Sequence, residues 1–234
     1  MNTHAIIMAG GKGTRLMPLT KNMPKPMVNI IDKPILEYAI RHLVSFGVVD
    51  ITLTLGYRPF DIINHFQDGA DYGANLRYTI EHEPLGTAGS VKNAVDFEGD
   101  FFVLSGDALT NINLDVFMSA HKQMGGLVTM ATKPMQNPVG LGILEVEKTG
   151  KITRFREKPE EEISLGLINT GIYVMHSDIT KFIGDGFQDF SRQIFPKIMP
   201  TLRAHLTDSY WSDVGTLESY YLANRDVAVG AVVF

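Results

Sequence analysis

The 234-residue chain has no cysteine, one tryptophan and no long charge-free apolar stretch. Without cysteine there is no disulfide framework, thiol nucleophile, iron–sulfur cluster or thiolate zinc site. The same absence suits a reducing cytosol. A membrane-spanning helix needs about 20 consecutive apolar residues, so none is expected. The start, Met1-Asn2-Thr3-His4, has no basic region, and the apolar run Ala5 to Met8 is too short for a secretory leader. Basic charge is scarce as well. Lys and Arg total 21 against 26 Asp and Glu, a net charge of −5 with no Lys/Arg cluster. That balance argues against nucleic acid and membrane surfaces as partners. An anionic ligand must therefore be held by a few local cations. The seven histidines (4, 42, 65, 82, 121, 176 and 205) show no HxxxH or HxH spacing, which leaves zinc without a ligand set. No Gly-x-Ser-x-Gly elbow is present.

What is present is the make-up of a globular cytoplasmic protein, 44% apolar and 20% charged. Short β-rich runs alternate with helical patterns. Strands are expected at Ala5–Met8, Asp50–Leu55, Leu76–Ile80 and Phe101–Ser105. Helices are expected at Pro34–Phe46, Arg58–Phe66 and Ala88–Val95, with Gly47 stopping the first. This alternation predicts a largely parallel sheet built by βαβ crossovers. After a helix at Leu114–Gln123 the pattern changes. Strand-like pieces at Leu127–Thr132, Gly142–Val146, Ile152–Glu157 and Ile168–Met175 crowd together, the middle two joined by a hairpin. A helix at Thr216–Val227 follows. With no repeat or linker, the expectation is one domain over 1–234, with a nucleotide-binding half over about 1–110 and a second half over about 111–234.

The segment richest in chemistry is Met8-Ala9-Gly10-Gly11-Lys12-Gly13-Thr14-Arg15-Leu16. A glycine-rich loop directly after a buried strand brings backbone N–H groups close to a phosphate, and Lys12 and Arg15 add charge. It has neither the Walker ending nor the third glycine of the dinucleotide fingerprint, which weakens a dehydrogenase reading. Pro24-Lys25-Pro26 then sets a lysine on a stiff support. Asp107, after Gly106 at the exit of a buried strand, sits where open α/β sheets bind ligands and suits Mg²⁺. Trp211-Ser212-Asp213-Val214-Gly215 offers a second carboxylate. Glu157-Lys158-Pro159, Asn169-Thr170-Gly171 and Pro138-Val139-Gly140-Leu141-Gly142 together offer charge, amide, hydroxyl and bare backbone for a sugar. Each of these pieces alone also reads as a turn.

In order, Ala9–Leu16, Pro24-Lys25-Pro26, Leu85-Gly86-Thr87-Ala88-Gly89, Gly106-Asp107, Glu157-Lys158-Pro159, Asn169-Thr170-Gly171 and Trp211–Gly215 resemble the sugar-1-phosphate nucleotidyltransferases. The similarity runs from about residue 4 to 226 and is greatest to their GTP:mannose-1-phosphate guanylyltransferase branch. It implies an α/β, Rossmann-like fold with a mixed, mostly parallel central sheet flanked by helices. It implies nucleotide contacts at Ala9, Gly10, Gly11, Gly13, Thr14, Glu81, Pro84, Gly86 and Thr87, with Arg15 and Lys25 at the reacting phosphates. Asp107 and Asp213 would hold Mg²⁺. Lys158 would grip the sugar phosphate, and Gly142, Glu157, Asn169 and Thr170 the sugar. The implied partners are a nucleoside triphosphate and a sugar-1-phosphate, with a homo-oligomer left open.

Relatives that use uridine, thymidine or adenosine nucleotides often carry glutamine where this chain has Glu81. A carboxylate only accepts hydrogen bonds, and guanine offers N1–H and its 2-amino group together. Glu81 therefore favours GTP, and the resemblance implies mannose-1-phosphate as the acceptor. Uridylyl transfer to glucose-, N-acetylmuramate- or heptose-type phosphates is one alternative, and a non-catalytic nucleotide-sugar-binding subunit is another. Leu141 stands where the family commonly has tyrosine before the glycine. The apolar Ala231-Val232-Val233-Phe234 fits either a short single-domain member or the first strand of a further domain.

Overall fold

The computed structural model describes residues 3–232; Met1, Asn2, Val233 and Phe234 lie outside the described residues, and with them part of the expectations for both ends. From the start run β1 (His4–Met8), β2 (Asn29–Ile30), β3 (Lys33–Pro34), α1 (Ile35–Ser45), β4 (Asp50–Leu55) and α2 (Pro59–Phe66). Then come β5 (Asn75–Ile80), α3 (Gly86–Ala94), β6 (Asp100–Ser105), β7 (Ala108–Thr110) and α4 (Leu114–Met124). The remainder is β8 (Val128–Gln136), β9 (Ile143–Val146), β10 (Ile152–Arg156), β11 (Leu165–His176), β12 (Leu202–Leu206), β13 (Trp211–Asp213) and α5 (Leu217–Ala228). Every helix and strand expected from periodicity is present. The short strands β2, β3, β7 and β13 are unexpected, because two or three residues carry too little pattern; β12 is unexpected as well.

Contacts divide the chain into two compact units. The first takes the residues up to Pro84, Leu104–Asn113, and the residues from Ser209 onward. The second takes Leu85–Val103 and Leu114–Asp208. A division near residue 110 assigns Asp213 to the second half, whereas its segment packs within the first unit.

In the first unit β1, β4 and β5 are parallel neighbours, with His4 opposite Asp50 and Asp50 opposite Asn75. Ile51 through Leu55 are all buried, the continuous run that a parallel strand covered on both faces requires. In α1, Ile35, Leu36, Ala39, Ile40 and Leu43 form the buried stripe. A separate apolar cluster joins Val28, Ile30, Ile35, Tyr38 and Leu109 to Val214 and Ala223. Full burial of side chains of this size contributes about 1.5–3 kcal/mol each, and here it anchors the final segment beside the residues after β6. The Thr216–Ser219 capping box starts α5.

The second unit carries a mixed sheet in the order β10-β9-β11-β8-β12, antiparallel except for the β8–β12 pair. The expected hairpin is closed by the Glu147 N–H bonding to the Lys151 carbonyl at 2.9 Å. The fold class is the expected one: α/β, a parallel sheet feeding a Rossmann-like first unit, and mixed strands in the second.

Candidate active site

Lys25 is only 6% exposed, a burial that lysine accepts only with partners. Pro24 holds the backbone extended before it, and Pro26 follows in a tight 3₁₀ turn. The Lys25 ammonium donates to Asp107 Oδ2 and lies 3.5 Å from Asp213 Oδ1. The Ser105 hydroxyl donates to the other oxygen of Asp107.

The two carboxylates meet because of the local backbone. At the exit of β6, the Gly106 N–H bonds to the Met8 carbonyl at 2.9 Å. The chain then enters β7, which pairs antiparallel with β13 and sets Ala108 opposite Asp213. The Val214 N–H closes the turn on the Asp107 carbonyl at 3.1 Å.

Their environments push the acids apart. Burial disfavours charge on Asp107, but Lys25 and Ser105 outweigh it and hold the carboxyl below its ordinary range. Burial and the Asp107 charge push Asp213 upward, against the pull of Lys25 and Arg15. Two converging carboxylates with one ammonium between them leave negative charge that a divalent cation suits, so the residues present fit Mg²⁺. Among the described residues no group of three or more His, Cys, Asp or Glu converges. The remaining ligands would therefore be substrate oxygens and water.

Arg15 is exposed, on the 3₁₀ turn Thr14–Leu16. Gly215 lets it close on the acids: a Cβ there would lie 3.0 Å from Asp213 Oδ2 and 3.3 Å from Arg15 Nη2. Gly13 sits at φ +68, and a Cβ on it would meet Lys25 Cβ at 2.7 Å and Thr20 Cγ2 at 3.0 Å. The Thr20 hydroxyl fastens the loop through the Gly13 carbonyl at 2.7 Å. Gly13→Ala is accordingly expected to lose about 1–2 kcal/mol of stability from the left-handed backbone. It should also displace Lys25 and lower turnover at least about tenfold, roughly 1.4 kcal/mol. Melting curves and steady-state rates check both, and unchanged turnover would separate the loop from Lys25.

The other predicted nucleotide residues divide. Ala9 is buried and continues β1 through a bond to the Thr54 carbonyl. Gly11 and Thr14 are exposed, with nothing within 4 Å of a Cβ on Gly11. Gly10 and Lys12, Tyr57 and Arg58 after β4, and Glu81 and Pro84 after β5 line a cavity of about 340 Å³. The Tyr57 N–H bonds to the Gly10 carbonyl, and the Glu81 N–H to the Leu55 carbonyl. Gly86 and Thr87 belong to the second unit and have contacts of their own there. A Cβ on Gly86 (φ +69) would meet the Gln188 carbonyl at 2.5 Å. The Thr87 hydroxyl donates to Asp189 and accepts from the Phe190 N–H.

In the second unit Gly142 opens onto Glu157, whose Oε2 would be 3.1 Å from a Cβ at that position. Lys158, at φ +47, keeps its ammonium 3.8 Å from Glu157 Oε1. Asn169-Thr170-Gly171 was expected at a strand start, but it lies inside β11. There the register against β8 shifts between Asn169 and Tyr173, an irregularity of the kind that re-aims side chains near sites. Asn169 is held by its amide donating to the buried Tyr173 hydroxyl and by the Gly171 N–H. Thr170 is buried with its hydroxyl on the Ala131 carbonyl at 2.7 Å.

Ser105, Tyr57 and Arg58 escaped the sequence reading. Tyr57 and Arg58 follow a buried strand as the glycine loop does, and that position is a usable signal. The family model for nucleotidyl transferases matches residues 4–229. The chain belongs to this family. A D-glycero-alpha-D-manno-heptose 1-phosphate guanylyltransferase of Campylobacter jejuni is 34% identical, over 93% of this chain and 96% of its own. A UTP–glucose-1-phosphate uridylyltransferase of Synechocystis is 32% identical over 95% of this chain and 63% of its own. A mannose-1-phosphate guanyltransferase of Yarrowia lipolytica is 33% identical over 90% and 60%. The chain thus spans about three fifths of the length of these last two nucleotidyl transferases. Among solved structures, HddC from Yersinia pseudotuberculosis, complexed with GMP-PN, superposes with a TM-score of 0.84. It is 28% identical, over 96% of this chain and 99% of its own.

Proposed function

We propose that this nucleotidyltransferase moves a guanylyl group from GTP to a manno-configured sugar-1-phosphate, with mannose-1-phosphate the expected acceptor and pyrophosphate the leaving product. The observation that carries the base assignment is Glu81 on the wall of the cavity that also holds Gly10 and Lys12. An acceptor-only group there favours the paired donors of guanine and disfavours the carbonyl oxygens of uracil. The manno-heptose and mannose names of two relatives support the sugar class.

A sugar-1-phosphate oxygen is already ionised near neutral pH, so the reaction needs no general base. It needs two anions held in line, and charge met as it develops. Lys25 and Arg15 would supply fixed positive charge for the phosphates, and Glu157, Lys158 and Asn169 would hold the sugar-1-phosphate. Bound at Asp107 and Asp213, Mg²⁺ would neutralise phosphate oxygens as a Lewis acid.

The test is pyrophosphate release with Mg²⁺, crossing the four nucleoside triphosphates with mannose-, manno-heptose-, glucose- and N-acetylmuramate-1-phosphate. Release with GTP and a manno acceptor is the expected result. Release with UTP and glucose-1-phosphate instead would favour the uridylyl reading that the Synechocystis relative supports. Silence with all pairs, while nucleotide sugar still binds, would move the chain to a regulatory role. Glu81→Gln should cut the GTP-to-UTP preference at least about tenfold, and an unaltered ratio would place base reading elsewhere.

A further inference from the structure

Besides Lys12 and Glu83, the cavity that holds Glu81 contains a further charged group, Arg58. It caps α2 from the left-handed region, at φ 49 and ψ 54. A non-glycine residue there costs about 1 kcal/mol, and such residues gather at ligand sites. Its Nε donates to Asp61 Oδ2 and its Nη2 to Asp61 Oδ1 at 3.3 Å. The neighbouring Tyr57 adds to the pull of Asp61 in favouring its charged form.

The guanidinium plane carries five N–H groups in a fixed fork. A carboxylate gripping Nε and Nη2 fixes that plane by one side. The end formed by Nη1 and Nη2 then presents two parallel donors. One cavity is therefore lined by an acceptor group, Glu81, and by Arg58, a donor group. They leave neighbouring parallel strands, since the Glu81 N–H is bonded to Leu55 at the end of β4.

Guanine alone among the nucleobases carries two adjacent donors on one edge, N1–H and the 2-amino group, and two adjacent acceptors on another, O6 and N7. An arginine fork on O6 and N7 is the commonest specific guanine contact in nucleic-acid recognition. Adenine puts a donor beside N7, and uracil has no N7. We propose that Arg58 is a specificity-determining residue that reads the O6/N7 edge of the guanine, with Asp61 as its positioning residue. The inference rests on the guanylyl reading and adds a second recognised edge to it.

The experiment compares kcat/KM for GTP, 7-deaza-GTP, ITP and UTP in the full chain and in Arg58→Met, with the manno acceptor. 7-Deaza-GTP lacks only the N7 acceptor, and ITP lacks only the 2-amino group. The wild-type chain should favour GTP over 7-deaza-GTP about tenfold. Arg58→Met should bring that ratio close to one and keep the penalty against ITP, which belongs to Glu81. Asp61→Asn should fall between them. A merely structural arginine would lower all four nucleotides together, and that result overturns the proposal. A wild-type chain indifferent to N7 overturns it without any variant. If the wild-type chain prefers UTP, the guanylyl reading itself fails and Arg58 falls with it. A preference for GTP over 7-deaza-GTP that survives in Arg58→Met overturns only the role of Arg58.

Discussion

Lys25→Met is expected to lower turnover about a hundredfold, close to 3 kcal/mol of transition-state stabilisation, and to destabilise the fold as well. The two losses have different origins. Stability falls because Asp107 and Asp213 both lean on one ammonium. Removing one partner of a buried pair leaves uncompensated charge, at a cost of about 3 kcal/mol. Turnover falls because the same ammonium is the fixed charge nearest the carboxylates that would face the phosphates. Adding Asp107→Asn to Lys25→Met should recover much of the melting temperature, since it removes the stranded charge, and should recover none of the rate. A double variant that regains turnover along with stability would make Lys25 a structural counterion only.

Arg15→Ala should show the opposite balance, a rate loss of about a hundredfold with the melting temperature nearly unchanged. Arg15 is exposed on a short 3₁₀ turn. Exposed substitutions away from packing typically shift stability by about 0.5 kcal/mol or less. If Arg15 meets charge that appears only as the phosphoryl group transfers, kcat should fall and KM should hold. Arg15→Lys should restore little, because a lysine lacks the planar fork that spans two phosphate oxygens. A variant whose KM rises with kcat intact would assign Arg15 to ground-state binding.

These expectations depend on a cluster that was only half legible in the sequence. Strand and helix periods were strong enough to set the α/β architecture, and the glycine loop and Pro-Lys-Pro marked their chemistry through composition. That Lys25 and Asp107 touch was not readable, because a contact between distant segments leaves no local pattern. Asp213 was named through its motif, yet its partnership runs through a three-residue strand too short to show a period. Of the cavity beyond the ends of β4 and β5, sequence marks one wall, Glu81. Tyr57 and Arg58 sit in a segment that reads as an ordinary helix start, and only the backbone shows that it turns left-handed there. The Asn169-Thr170-Gly171 motif was placed too early, because a strand with an irregular register has no clean alternation.

The first unit is assembled from three stretches of chain, so its charges emerge from the ribosome at different times. Lys25 and Asp107 can pair while the rest is still being synthesised, one positive charge balancing one negative. Asp213 then arrives with the third stretch and must give up its hydration beside the Asp107 charge, against the pull of Lys25 and Arg15. Electrostatics alone would resist that arrival. Burial of Val214 and Ala223 in the cluster around Val28 and Leu109 supplies the force that opposes the repulsion. Closure of the first unit is therefore driven by greasy side chains that drag an unwelcome acid to its post.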